Sequence, residues 1–323
     1  MSQRFPAQHY IDGVLAGNRL VLSRAITLAE SQLAQDQVLA QQVLEGVLPQ
    51  TGNSVRVGIT GVPGVGKSQL IEAFGTYLTG LGHRLAVLAV DPSSQRSGGS
   101  LLGDKTRMDA LSMNPDAYIR PSPAGSTLGG VAHRTRETIL LCEAAGFDVV
   151  LIETVGVGQS ETMVHDMVDF FLLLMLAGAG DELQGMKRGI MELADALCIT
   201  KADGNNQTAV SRARVEYQNA LHLFPPTGTG WFPPVLTSSA LTGEGIAGVW
   251  QTIEQHQQLT TANGQRTARR QAQQLSWFRT LLSQQLQQRF YSQPGIQGKI
   301  RAVEARVQAG TLLPGGAVGE LLA

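Results

Sequence analysis

The run Gly61-Val62-Pro63-Gly64-Val65-Gly66-Lys67-Ser68 joins three glycines, a lysine and a hydroxyl at the spacing Gly-x-x-x-x-Gly-Lys-Ser. Glycines let successive backbone N–H groups curl around a phosphate with no Cβ in the way. Lys67 can carry positive charge to the β and γ oxygens of a nucleoside triphosphate, and Ser68 can ligate Mg²⁺ through its hydroxyl. The phosphate-binding set runs from Gly61 through Gln69. A strand-like stretch (VRVGIT) precedes it and a helical stretch follows, so the positive end of a helix faces the same phosphates. A plain glycine-rich turn rarely has both flanks correct.

Such a site needs a carboxylate at the end of a neighbouring strand, aimed at the metal or its water. RLAVLAVDP ends in Asp91 and DVVLIETVGVGQ carries Glu153. Gly156 follows Glu153 in the order Glu-x-x-Gly, where a backbone N–H can approach the γ-phosphate and report its loss. Asp104, in the polar loop SSQRSGGSLLGDKTRM, is the third metal candidate, and that loop reads as a switch segment. Lys67, Asp91 and Glu153 form the catalytic set, and Ser68, Asp91, Asp104 and Glu153 the metal set. Gln159 could position water or simply start a helix.

Thr200-Lys201-Ala202-Asp203 follows the apolar run ALCIT, and Ser238-Ser239-Ala240 follows a second one. The first fits the [Asn/Thr]-Lys-x-Asp pattern that reads guanine. Asp203 accepts from N1–H and the 2-amino group, Lys201 lies along the base, and the amide near Ala240 meets O6. Adenine lacks those donors and leaves the carboxylate unpaired. Thr200 replaces the commoner Asn, which removes an amide expected to tie this loop to the phosphate loop.

The elements that must hold these residues are legible in the hydrophobic pattern. Strands are expected at Val55–Thr60, Leu85–Val90, Val149–Glu153, Phe170–Met175, Ala196–Thr200 and Val235–Ser238. Helices are expected at Lys67–Leu81, Val131–Ala145, Gly189–Ala194, Asn206–Leu221 and Ile246–Leu259. Near-continuous apolar strands alternating with helices predict an α/β fold, its mostly parallel central sheet covered by helices on both faces. Upstream, Val14, Leu15, Leu22, Ile26, Leu33, Leu39, Val43, Leu44 and Val47 recur at helical steps until Pro49 and Gly52 break the pattern. Downstream, Leu275, Phe278, Leu282, Leu286 and Phe290 form one stripe on a Gln- and Arg-rich helix, able to pack on its own domain or on a second copy. The expected organisation is an N-terminal helical extension (residues 1–52), a P-loop domain (53–261) and a C-terminal helical arm (262–323).

Composition narrows the classes. Hydrophobic residues make up 43% of the 323, enough for a buried core, and the net charge of -1 provides no field favouring nucleic acid or an anionic membrane. Phe170 to Leu176, the most apolar run, is far short of the roughly 20 residues a membrane-spanning helix needs. Cys142 and Cys198 lie in apolar runs without a paired spacing, and the N-terminus lacks a signal-like stretch. A reducing, cytoplasmic setting is expected.

The assembled stretches GVPGVGKS, AVDPSSQRSGGSLLGDKTRM, LCEAAGFDVVLIETVGVGQSE, AGAGDELQGMKRGIMELAD and TKADG make the chain resemble the MeaB/ArgK family of GTPases. These accompany the adenosylcobalamin-dependent methylmalonyl-CoA mutase. The resemblance implies a P-loop G domain, Mg²⁺ with GTP or GDP, a helical N-terminal extension and a C-terminal arm that forms a homodimer. It further implies that the partner is methylmalonyl-CoA mutase or a related acyl-CoA mutase, whose cofactor loading is gated and which is protected from inactivation. Ala177 to Gly189, with Gln184 and Lys187, is then a further switch loop facing the mutase. Slow intrinsic hydrolysis is expected. The rival readings are a nickel-type metallochaperone GTPase, disfavoured by six dispersed histidines, and a scaffold that holds nucleotide without hydrolysing it. A kinase or transport protein has no readable acceptor site.

Overall fold

In the computed structural model the described residues are 4–90, 108–121, 128–154, 160–178, 188–224 and 230–323. Seven strands form one sheet in the order β3-β2-β4-β1-β5-β6-β7, every neighbouring pair parallel. They are β1 (Val55–Gly61), β2 (Leu85–Val90), β3 (Ala117–Arg120), β4 (Val149–Thr154), β5 (Phe170–Met175), β6 (Ala196–Ile199) and β7 (Val235–Thr237). The helices are α1 (Ala7–Leu15), α2 (Arg19–Glu30), α3 (Ala34–Val47), α4 (Lys67–Gly80), α5 (Asp109–Met113), α6 (Leu128–Ala144) and α7 (Ser160–His165). Beyond them follow α8 (Arg188–Leu193), α9 (Gln207–Leu221), α10 (Ile246–Ala262), α11 (Gln265–Tyr291), α12 (Ile296–Gln308) and α13 (Pro314–Leu322). The six expected strands form within a residue or so of their expected ends. The seventh, β3, has no counterpart in the sequence reading, because AYIR is too short to show a period.

Strands β1, β2, β4, β5 and β6 are buried along their whole length, which accounts for their unbroken Val, Ile, Leu and Phe content. Successive side chains serve opposite faces. Leu88, Val150, Ile152, Phe171 and Leu173 join the core beneath α1–α3 and α6. Val57, Ile59, Val87, Leu151, Leu172 and Leu174 join the core beneath α4 and α10. In the N-terminal stripe Val14, Leu22, Ile26, Val43, Leu44 and Val47 are buried as the pattern predicts, while Leu15 and Leu33 turn outward.

The topology positions the site. After β1 the chain moves to β2 and β3 on one side, returns to β4 beside β1, and then crosses to β5, β6 and β7 on the other. The β1–β2 and β4–β5 crossovers thus run in opposite directions from the middle of the sheet, a switch point of the kind at whose carboxyl-end crevice the ligands of doubly wound sheets bind.

The opposite ends are closed by charge. Glu143, at the end of α6, accepts from Arg56 Nε (2.8 Å), Arg56 Nη2 (2.9 Å), Ser54 Oγ (2.5 Å) and Gly52 N (2.8 Å). Asp169 accepts from Arg56 N at 3.0 Å and from Arg270 Nε at 2.7 Å. Removing one partner leaves buried charge uncompensated, so Glu143→Ala is expected to cost about 3–5 kcal/mol at neutral pH, read from the denaturant midpoint. Burial pushes the Glu143 carboxyl up, but Arg56, Ser54 and Gly52 together hold it below its ordinary 4.5. The folded state therefore favours the ionised form. That contribution is present above the ordinary value and is lost as pH falls below it, so the gap between wild type and variant narrows in acid.

The chain divides into two compact units, Met1–Arg270 and Gln271–Ala323. In the second, Ile296, Val303 and Ala317 are buried among α12 and α13, and Arg306 reaches both oxygens of Glu320. Among the described residues no helix is long and apolar enough to cross a membrane. Cys142 and Cys198 are both buried free thiols.

Candidate nucleotide-binding site

The phosphate loop leaves β1 at the middle of the sheet. A Cβ on Gly61 would stand 2.7 Å from the Leu174 carbonyl oxygen, so the loop can pass this close to β5 only with glycine. Gly66 adopts φ 95°, a left-handed turn directly before α4 begins at Lys67. The first N–H groups of α4 and the loop amides thus end at the crevice.

Lys67 reaches back over the loop, its Nζ donating to the carbonyls of Gly61 (2.8 Å) and Val62 (3.2 Å). Burial lowers its pKa from the ordinary lysine value, while the charges of Glu153 and Glu161 pull it back up. Ser68 Oγ donates to Glu153 Oε1 at 3.2 Å. Glu153 lies on β4 beside both β1 and β2, in register with Ile59 and Ala89, and is 4% exposed. The structure thereby brings together the lysine, hydroxyl and carboxylate predicted from the sequence. Ser68 and Glu153 supply hard oxygen donors of the kind Mg²⁺ selects, so the residues present fit that ion. Asp91, Asp104, Gly156, Gln159, Gln184 and Lys187 lie outside the described residues.

The second loop leaves β6, two strands from β1. Thr200 Oγ1 donates to the Val65 carbonyl at 2.6 Å, so the tie to the phosphate loop that Thr in place of Asn was expected to remove is made by the hydroxyl. Lys201 Nζ donates to the Gly64 carbonyl at 2.9 Å, laying its stem across the same loop. Asp203 accepts from the hydroxyl of fully buried Ser239, which in turn accepts from Thr242 N at 3.1 Å. Ser238 donates its N–H to Ile199 O (2.9 Å) and accepts at its carbonyl from Ala202 N (3.1 Å). Ala240, the next residue, is half-buried. All six predicted base-loop residues therefore meet at one end of β6 and β7.

Two residues that the sequence reading passed over belong to this neighbourhood. Glu161, in the first turn of α7, is buried and close enough to act on Lys67. Asn206 donates its side-chain amide to the Lys201 carbonyl at 2.9 Å. Neither carries a motif; each is one polar residue at a helix start, a common occurrence with no chemical signature.

A seven-stranded parallel sheet with a glycine-rich phosphate loop at its switch point and a Thr-Lys-x-Asp loop beside it defines a P-loop GTPase fold. Residues 22–295 match the family model described as "Methylmalonyl Co-A mutase-associated GTPase MeaB". The chain belongs to that family of GTPases. A Caulobacter vibrioides relative is 54% identical over 310 residues, covering 96% of this chain and 95% of that protein. GTPase ArgK of Escherichia coli is 46% identical, covering 92% and 90%. The mouse "Methylmalonic aciduria type A homolog, mitochondrial" is 48% identical, covering 99% of this chain and 79% of that one. Among solved structures, one described as a LAO/AO transport system kinase superposes with a TM-score of 0.79 at 39% identity, covering 98% and 96%.

Proposed function

We propose that this chain binds Mg²⁺ and GTP in the crevice above β1, hydrolyses the γ-phosphate slowly, and thereby switches the state of a methylmalonyl-CoA mutase or related acyl-CoA mutase. The reading rests on one juxtaposition. Lys67, Ser68 and Glu153 stand around the start of α4, while Thr200 and Lys201 bond the carbonyls of Val65 and Gly64 in the same loop. Phosphate and base recognition are thus mechanically one unit.

In this reading loop amides from Gly61 to Gln69 cradle the phosphates, and Lys67 leaves its carbonyl partners to meet the β and γ oxygens. Ser68 and Glu153 would hold the metal, with Asp91 and Asp104 completing the set on their sequence positions. Bound Mg²⁺ supplies neutralisation of the charge developing on those oxygens. Asp203, aimed by Ser239, accepts from guanine N1–H and the 2-amino group. Gly156 and the segment carrying Gln184 and Lys187 would report the loss of the γ-phosphate to the partner. Turnover in this reading stays slow until a partner orders the site.

The family description and the mouse relative's name support the mutase as partner. The three-part organisation (1–52, 53–261, 262–323) and a homodimer formed through the arm belong to the same proposal. Leu275 and Phe278 in the arm's stripe are 56% and 61% exposed within the chain, a surface suited to a second copy. A cytoplasmic setting fits the two buried free thiols. The test is GTP turnover by the purified chain alone and with methylmalonyl-CoA mutase, together with capture of the mutase in GDP and in a non-hydrolysable GTP analogue. Nucleotide-dependent capture and a severalfold rise in turnover are expected. Equal capture in both nucleotides and unchanged turnover would remove the switch.

A further inference from the structure

Among the described residues Lys201 is the only non-glycine with positive φ, at 55°. A residue with a Cβ resists the left-handed region, and such a conformation persists only where its surroundings over-determine it. The surroundings here are specific. On the inner side Thr200 and the Lys201 ammonium bond the phosphate loop, at 2.6 Å and 2.9 Å. Ala202 N donates to Ser238 O at 3.1 Å. On the outer side Asn206 places its side-chain amide on the Lys201 carbonyl (2.9 Å) and its backbone N–H on the Asp203 carbonyl (3.2 Å). It sits on the short 3₁₀ turn Gly204–Asn206 that leads into α9.

The Lys201 carbonyl belongs to the peptide that follows the strained residue, and the orientation of that peptide sets where the chain delivers Asp203 two residues later. We propose that Asn206 is a positioning residue for guanine recognition: by holding the Lys201 carbonyl it fixes the left-handed turn that aims the Asp203 carboxylate at the base. The inference deepens the reading above and rests on it. Without that amide the peptide is held only through its N–H, by Ser238 O, so it relaxes toward the right-handed region more readily, and the carboxylate loses its alignment with the N1 and 2-amino donors while the phosphate loop keeps its own contacts.

A role confined to loop stability would weaken every nucleotide alike, so the informative quantity is a ratio. The full chain and the variants Asn206→Ala and Asn206→Asp are titrated with GDP and with IDP, which lacks the 2-amino group. The Asp variant keeps the side-chain size but puts a charged acceptor where the amide donor stood, while the Ala variant removes the donor without adding charge. Both variants are expected to keep the wild-type unfolding midpoint while their preference for GDP over IDP falls about fivefold, the worth of one hydrogen bond. An unchanged preference in either variant, or GDP and IDP weakening by the same factor, overturns the role of Asn206. A wild-type chain with no preference for GDP over IDP removes the assignment of Asp203 as well, so the two failures are distinguishable.

Discussion

Lys67→Ala is expected to lower the rate of GTP hydrolysis by at least about a hundredfold, the usual loss when one preorganised donor to a developing oxyanion is removed. Two features make the effect large. Lys67 is the one cation in the phosphate loop, and its ammonium is anchored within reach of the loop by the Gly61 and Val62 carbonyls. It is also partly desolvated, as its lowered pKa reflects, so its charge acts in a medium that screens weakly. The fold is expected to survive, because the residue contributes little apolar packing and its removal relieves a buried charge. Single-turnover phosphate release, measured beside a thermal melt, checks both halves. Wild-type turnover in a correctly folded variant would take the phosphate site away from this loop.

Asp203→Asn is expected to cut GDP affinity by at least about a hundredfold and to raise affinity for xanthosine diphosphate, reversing the preference. The direction follows from the buried hydroxyl behind the carboxylate. Ser239 donates to one Asp203 oxygen while accepting from Thr242 N, so it has a single proton to give. In the variant that proton meets the amide oxygen. The NH₂ then turns toward the base, where it pairs with the 2-oxo group of xanthine and opposes the 2-amino group of guanine. Isothermal titration with both diphosphates measures the reversal; retained guanine preference would place the base elsewhere. These two substitutions separate the halves of the site, since the first acts on the phosphates whatever the base and the second on the base whatever the phosphates.

How far such a site is legible before folding depends on how local its chemistry is. Gly61 to Ser68 could be read directly, because the loop's requirements are met within eight consecutive residues: freedom at the glycines, a cation and a hydroxyl. Thr200-Lys201-Ala202-Asp203 was readable for the same reason. Strand β3 was not, since its four residues, AYIR, show no alternation of their own. Its place at the sheet edge depends on β2 and on Arg19, which donates to the Asn114 and Pro115 carbonyls from a distant helix. The strand-foot charges were equally silent: Arg56, Glu143, Asp169 and Arg270 look like ordinary solvated charges until the ends of β1, β5, α6 and α11 converge.

Thr200 shows the boundary most clearly. Read alone, Thr in place of Asn implied a lost tether, because the comparison was of side-chain length and amide donors. The tether exists, since β5 lies between β1 and β6 and brings the Val65 carbonyl to 2.6 Å from the shorter hydroxyl. The amino-acid order by itself determined six of the seven strands, the phosphate loop and the base motif, all of which follow from neighbours along the chain. Only the tertiary structure decided which carbonyl each side chain meets and where Glu161 and Asn206 stand, because those contacts depend on strand order and on separations of a few tenths of an ångström.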